Sequence, residues 1–486
     1  MEENENNSAK AAAVPVTRRQ FLNLFAAVFL PMFMAAIDQT LLATATPAIA
    51  DGLGSLRDSS WIMVAYLLSA AVIVPVYGRL GDIRGKRQML LVALGVFAAG
   101  SLACAAAQTM PQLIAARVLQ GLGGGGLMML SHALVGELVP PYERVRFQGW
   151  FAMMFTTASV SGPVLGGFVV TYVSWRWLFL ANIPLLIFAA WRLCGLPQGE
   201  RHPPKVAGMD IPGHVLFAVG ALSTLFWLTS GGHRFDWASA TSAALAATAV
   251  LSLTALVFHE RRHRAPFLPL DLFAERAILL SSLLTMVFAA CLFAIIFFLP
   301  IYLQLGHRVS AQMSGLLLLP VTAGQVIGNV VCTRILRRTG EPYRIPIIGM
   351  SLTAASLLLL GLLPATMWLV GVLGFVAGLG LGTVMPITML TVQTMAGRTK
   401  LGAATAALSL SRSTGGAAGA ALFGAIVFAV LPEVDRHAIL EEAGALGVER
   451  VIQAFHRGFF CAAAVAAIGI FLAARTPRIK LWDRPT

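Results

Sequence analysis

Apolar stretches of about 20 residues, the length one helix needs to cross a bilayer, recur along nearly the whole chain and are separated by short polar or basic breaks. The stretches are continuous rather than alternating at every second position. They therefore predict helices and not barrel strands, the two backbones that can satisfy their own polar groups in hydrocarbon. About fourteen spans are read, centred near residues 35, 68, 98, 124, 159, 186, 220, 248, 290, 325, 354, 380, 416 and 465. The first, residues 21–49, is longer than the apolar core of a signal peptide and lacks a small-residue cleavage site, so it is expected to remain as the first span. Residues 1–17 are polar and acidic and are expected to be disordered.

Composition agrees. Of 486 residues, 57% are hydrophobic and 12% charged, with a mean hydropathy of +0.78, against about 25% charged in soluble domains. The fold class expected is an all-α polytopic membrane protein. An even number of spans puts both termini on one side. Arg18, Arg19, Arg144, Arg146, Arg261, Arg262, Arg264, Arg334 and Arg344 then lie on that side, which is cytoplasmic by the positive-inside rule. The net charge of +13 is accounted for as an orientation signal beside an anionic leaflet, and no nucleic-acid partner is expected.

The chain also repeats itself. "QGLGGGGLMMLSHA" from Gln120 and "AGLGLGTVMPITML" from Ala377 superpose Gly121, Gly123, Gly125 and Met128 on Gly378, Gly380, Gly382 and Met385, at an offset of 257. "GRLGDIRGKR" from Gly78 meets "TRILRRTGEP" from Thr333 at 255, and "SGPVLGG" from Ser161 meets "TGGAAGA" from Thr414 at 253. Internal repeats of this kind are common in secondary transporters. Two further spans, near 220 and 248, separate the copies and are followed by the basic hinge "HERRHRAPFLPLDLF" from His259. The organisation expected is a tail (1–20), a six-helix bundle (21–197), two inserted helices (198–265), a second six-helix bundle (266–475) and a tail (476–486).

Between spans 2 and 3, Gly78, Gly81 and Gly85 permit close helix approach, while Asp82 is placed to accept hydrogen bonds near Arg84, Lys86 and Arg87. This is read as a gating latch. Gly162 and Gly166, one turn apart, flank Pro163 and precede Gly167, a pattern expected to press span 5 tightly against a helix of the other half. Gly121, Gly123 and Gly126 match the dinucleotide pattern G-x-G-x-x-G, but no strand precedes them and no phosphate-binding lysine follows. The five cysteines show no C-x-x-C spacing, and the nine histidines are read as forming no H-x-x-x-H cluster; no cofactor or metal is expected. His132, deep in span 4, is expected to be hydrogen-bonded and structural.

These motifs carry a resemblance. The span 2–3 loop resembles the Gly-x-Leu-x-Asp-Arg-x-Gly-Arg-Arg signature of the major facilitator superfamily, with Ile83 and Arg84 exchanging the basic and variable positions. "RVLQGLGGGG" from Arg117 resembles the family's fourth-span motif, and "SVSGPVLGGF" from Ser159 resembles the fifth-span motif of its proton-coupled antiporters. With "AIDQTLLATATPAIA", "WRWLFLANIP" and fourteen spans, the chain resembles the EmrB/QacA-type drug:proton antiporters. The resemblance implies the major facilitator fold with two added helices, no enzymatic activity, and proton-driven export of lipophilic organic compounds by alternating access across a bacterial inner membrane. Such exporters can also engage a periplasmic adaptor and an outer-membrane channel. A proton-coupled symporter or uniporter, and from another class a membrane-embedded enzyme or sensor, are the alternatives.

Asp38 is the acid that needs explaining. It lies about 25 Å along span 1, and Arg117 about 9 Å into span 4 from the opposite end, at about 1.5 Å per residue. They are expected to meet, directly or through Gln39, Thr40 or water. Apolar surroundings favour the neutral form of a carboxyl group and a guanidinium its charged form, so access that alternates between the two sides can load and release a proton at Asp38. The second half has Ala294 where the first has Asp38. Gln39, Thr40, Thr44, Gln325, Asn329, Thr388, Gln393 and Arg412 are the candidate cavity groups, a sparse polar set among Phe and Met that suits lipophilic substrates.

Overall fold

The computed structural model describes residues 18–54, 57–138, 141–196, 210–231, 235–263, 270–339, 343–363, 366–430 and 444–477, and almost all of them are helical. Five long helices open the chain: α1 (Arg18–Leu53), α2 (Ser60–Arg84), α3 (Lys86–Ala106), α4 (Met110–Leu138) and α5 (Pro141–Tyr172). A short α6 (Trp177–Leu180) leads into α7 (Asn182–Cys194), and a hairpin follows of α8 (Ile211–Ser230) and α9 (Ala240–Arg262). The remainder comprises α10 (Leu270–Phe273), α11 (Arg276–Gly306), α12 (Ala311–Leu316), α13 (Leu319–Thr339), α14 (Arg344–Leu362), α15 (Met367–Gly382), α16 (Val384–Val430) and α17 (Gly444–Arg475). The readings made for residues 1–17 and 198–209 fall outside the described residues.

Twelve helical stretches among the described residues are long and apolar enough to cross a membrane, α8 and α9 among them. Prolines inside α1 (Pro31, Pro47), α2 (Pro75), α5 (Pro163) and α11 (Pro300) are tolerated because neighbouring helices supply partners for the freed carbonyls. Helices start at polar caps: Asp210, Ser239, Ser310 and Thr366 accept the exposed N–H groups of α8, α9, α12 and α15.

The two glycine-rich helices pack in the same way. A Cβ at Gly121 or Gly125 on α4 would strike the α2 backbone at Tyr66 or Ala70, and one at Gly123 would strike α3 at Phe97. In the second half, Gly378 and Gly382 on α15 meet the α13 backbone at Val321 and Gln325, while Gly380 meets α14 at Gly349. The steps from Tyr66 to Val321 and from Ala70 to Gln325 are both 255 residues, close to the offsets of the sequence repeat. Each central helix thus uses alternate glycines to seat itself between the same two neighbours, as close small-residue packing in a bilayer requires.

The first six long helices and the last six meet at a set of close contacts. Gln304 of α11 donates to the Thr44 carbonyl of α1 at 3.1 Å. Gly315 of α12 lies against the Pro163 carbonyl of α5, Gly167 against the backbone of Ala311 and Gln312, Gly424 against Ser60, and Gly416 against Leu67. All of these fall beyond the middle of α1 and α5 and near the start of α2, so they share one end of the molecule. The hairpin sits outside this seam. α8 packs on α2 and α16, with Trp61 and Phe226 rings 6.0 Å apart, whereas α9 packs chiefly on α8 and leaves Val250, Leu251 and Phe258 on its outer face exposed.

Candidate functional site

Asp38 and Arg117 meet directly. One guanidinium nitrogen, Nη1, donates to Asp38 Oδ2 at 2.6 Å and to Gln120 Oε1, while Nε donates to the Ile62 carbonyl of α2 at 3.0 Å. Gln120 returns its amide to Asp38 Oδ1 and to Ser101 Oγ, both at 2.9 Å, and Asn182 of α7 donates to Ser101 at 3.4 Å. The guanidinium also lies 4.4 Å from the centre of the Tyr66 ring. Five helices contribute: α1, α2, α3, α4 and α7. Arg117 and Gln120 are completely buried and Asp38 is 2% exposed.

Local sequence explains the geometry. Arg117 and Gln120 stand three apart in "RVLQ" and so share a face of α4. Gly100 of α3 makes room, since a Cβ there would overlap the backbone of Gln120. Both Asp38 oxygens accept from N–H donors that are themselves fixed, which satisfies the carboxylate without water. Removing one member of such a pair leaves an uncompensated buried charge, at a cost of about 3–5 kcal/mol. Gln120, Ser101 and Asn182 were missed in the sequence. The i, i+3 spacing of Arg117 and Gln120 was the available signal, but nothing in the sequence ties Ser101 or Asn182 to it.

This arrangement belongs to a known architecture. Residues 28–420 match the profile described as Major Facilitator Superfamily. The chain belongs to that superfamily. It is 32% identical to an uncharacterized MFS-type transporter of Mycobacterium tuberculosis, over 95% of this chain and 70% of the relative. It is also 33% identical to the multidrug transporter protein MdtP of Bacillus subtilis, over 83% of this chain and 75% of that protein. Among solved structures, the inward-facing, unoccupied bacterial homologue of the human lysosomal transporter Spinster superposes with a TM-score of 0.67 at 14% identity, covering 96% and 98% of the two chains. The D-xylose-proton symporter superposes with a TM-score of 0.63 at 14% identity, over 94% and 100%. At these identities the superpositions establish the all-helical fold alone; the profile match makes the chain a multi-pass membrane transporter of this superfamily, and its homologues include proteins named as multidrug or efflux pumps.

The other residues singled out in the sequence are distributed differently from the expectation. Thr40 and Thr44 do not open into a cavity: their hydroxyls donate to the carbonyls of Ala158 and Pro163, at 3.1 and 3.2 Å, stitching α1 to α5. Gly162 and Gly166 face this same seam, against Thr40, Leu41 and Thr44. The expectation that they press on the other half is therefore corrected. Residues one turn apart share a face, and that face is turned to α1; Gly167, about 100° further round, and the Pro163 carbonyl make the contact with α12 of the other half.

In the span 2–3 loop, Gly78 and Gly81 let α2 close on Met129 and Leu130 of α4, and Gly85 adopts φ +97°, which ends α2 and starts α3. Arg87 reaches across to the Cys194 carbonyl at the end of α7, at 2.6 Å. Arg84 is exposed and Lys86 partly so; the side chains of Asp82 and Glu137 lie outside the described residues.

Gln39 is buried beside Tyr66. Gln325 and Gln393 are partly buried and Asn329 is exposed. Thr388 sits in a small crevice with Ser281, Tyr343 and Thr391, away from Asp38. Arg412 on α16 is partly buried and lies within electrostatic reach of Tyr66 and His132. The cavity of about 350 Å³ among α11, α16 and α17 is lined by Met286, Ala290, Gly419, Leu422 and Phe423 and includes none of the predicted polar groups.

Proposed function

We propose that the chain is a proton-driven exporter of lipophilic organic compounds, of the fourteen-span EmrB/QacA type, working by alternating access in a bacterial inner membrane. The observation that carries this reading is the buried Asp38–Arg117–Gln120 network. Each carboxylate oxygen receives one N–H, and a proton on Asp38 removes the charge that strengthens both bonds, so the hold on Arg117 Nη1 and the Gln120 amide weakens. Arg117 is also fixed to α2 through the Ile62 carbonyl, five residues before Leu67, which lies against Gly416 of the other half. Protonation thereby loosens α1 from α4 and α2 together, and re-forming the pair tightens them. That is a direct route from a proton to the packing of the half that rocks.

The homologues named as multidrug and efflux proteins support an outward direction for the substrate. Fourteen spans follow if α5 and the part of α16 beyond Ala396 are counted with the twelve, 12 + 2 = 14, since the 47 residues of α16 exceed twice the length of one crossing, about 20 residues. Both termini then lie in the cytoplasm, and the divisions at about residues 198 and 265 separate two bundles from the α8–α9 hairpin. Between residues 276 and 430 the only acidic residue is Glu341, so α11 to α16 offer no carboxylate to a dication. With Arg412 near the centre, the compounds favoured are neutral, monocationic or weakly acidic. A periplasmic adaptor with an outer-membrane channel remains part of the proposal only through the resemblance.

The test is exchange in proteoliposomes with an acidic lumen and an internal pH dye, using lipophilic cations, neutral drugs and aromatic acids. Substrate-triggered proton efflux in wild type that is lost in Asp38→Asn supports the reading. Equal exchange in the variant assigns Asp38 a structural role, and no exchange in wild type with any compound removes antiport altogether.

A further inference from the structure

The hinge "HERRH", residues 259–263, contains two histidines four apart, H-E-x-x-H, the spacing that puts two imidazoles on one helical face. The reading of the histidines as unclustered is thereby corrected: this pair was absorbed into a run of basic residues taken only as an orientation signal. In the structure, His259 and His263 end α9 with their rings 5.1 Å apart and nearly parallel, and both address one carboxylate, that of Asp210 at the start of α8. His259 Nε2 is 2.6 Å from Oδ1 and His263 Nδ1 is 4.0 Å from Oδ2. The three ligand atoms all lie within 4.8 Å of one another.

We infer that Asp210, His259 and His263 form a binding site for a divalent transition-metal ion of the zinc class, clasping the two ends of the α8–α9 hairpin. Tetrahedral zinc with bonds of about 2.0–2.1 Å sets its ligand atoms about 3.4 Å apart, and the separations of 2.6 and 4.0 Å bracket that value. A cap for α8 requires the Asp210 oxygen that accepts the Gly213 N–H at 2.9 Å; it requires neither imidazole. A single ion pair requires His259 alone. The second imidazole, directed at the second oxygen of the same carboxylate, is what a metal site needs and the simpler roles do not.

The surroundings favour a dication. Glu260 is 4% exposed, and an added Cβ at Gly213 would lie 2.8 Å from both Glu260 Oε1 and Asp210 Cγ, so two buried carboxyl groups converge on that glycine. Mixed imidazole and carboxylate donors select zinc, cobalt or nickel over magnesium or calcium. In zinc hydrolases with this spacing the glutamate acts as a base beside an open position; here Glu260 is packed into the first turn of α8, so the site is structural. Binding exchanges the His259–Asp210 hydrogen bond for two metal bonds and releases protons. It also fixes α9, the most peripheral helix, to α8 at the end where Arg261 and Arg262 emerge.

The experiment uses the full chain, without a polyhistidine tag, in nanodiscs after chelation, titrated with Zn²⁺ in competition with a chromophoric chelator and with Co²⁺ read by visible absorption. Wild type is expected to take up one ion per chain, with the intense bands of tetrahedral or five-coordinate Co²⁺ and with proton release. His263→Gln should weaken binding at least tenfold, and His259→Gln/His263→Gln should abolish it. The unfolding midpoint in chelator reports whether His263→Gln is folded, since that side chain holds no cap. Should wild type and the double variant bind alike, or wild type give only weak octahedral Co²⁺ spectra, the site does not exist.

Discussion

Two halves built on one packing plan carry opposite chemistry at their centres. In the first, α4 brings Arg117 and Gln120 to Asp38 of α1 and Ser101 of α3. At the repeat-related positions of the second half stand Gly374, Ala377 and Ala294, and what holds α14 to α15 there is Thr353, whose hydroxyl donates to the carbonyls of Gly349 and Ala377 at 3.0 and 3.2 Å. The glycine steps that seat α4 and α15 are the same. The lesson is that the packing frame is independent of the charges: the second half shows that three helices can be held this way with no ionised group, so the network in the first half has a role other than holding the fold.

The strongest way to break the comparison is to unbalance the charged half. Arg117→Leu leaves Asp38 buried without its cation and is expected to destabilise the chain by about 3–5 kcal/mol, seen as a large fall in the thermal midpoint in detergent. Asp38→Leu/Arg117→Leu makes the first half resemble the second, and should recover most of that loss while proton exchange stays absent. If the double variant is no more stable than the single one, the network holds the fold and the contrast between the halves has been misread.

Overpacking tests the shared frame. Gly123→Leu and Gly380→Leu each drive a side chain into a facing backbone, at Phe97 or Gly349, and each is expected to cost about 1–3 kcal/mol or more. Similar midpoint shifts for the two would express the repeat as energy. A large shift for one with a negligible shift for the other would limit the repeat to sequence.

Much of this frame was legible in advance because it rests on regular signals. Long apolar runs fix helices, and the spaced glycines of "GLGGGG" and "GLGLG" fix which helices lie close. The meeting of Asp38 and Arg117 was legible because two isolated charges in apolar spans have few other partners. Faces were harder. Thr40, Thr44, Gly162 and Gly166 turned out to seal α1 against α5, since polarity alone does not say whether a hydroxyl points to a cavity or donates to a neighbouring carbonyl. The cluster at Asp210 was hidden for a different reason: its third member comes from another helix, and a basic run conceals two histidines.

Gln120 sharpens the comparison at intermediate size. Gln120→Leu removes donors to Asp38 and Ser101 and an acceptor for Arg117, at a cost of about 1–3 kcal/mol. The Asp38 carboxylate then keeps one fixed donor instead of two, and substrate-driven proton exchange should be slower than in wild type. An unchanged exchange rate in proteoliposomes would confine Gln120 to packing.

The smallest effect belongs to the neutral half. Thr353→Val keeps the shape of the side chain and deletes the hydroxyl that links α14 to α15. Both carbonyl acceptors belong to helical backbone, so neither is orphaned, and a net hydrogen bond is worth about 0.5–1.5 kcal/mol; in bilayers such links average about 0.6 kcal/mol. The midpoint should fall by only a few degrees, with the rate and pH profile of exchange unchanged. A marked change in proton coupling from this substitution would show that the second half participates through backbone packing, and the division of labour between charged and neutral halves would have to be given up.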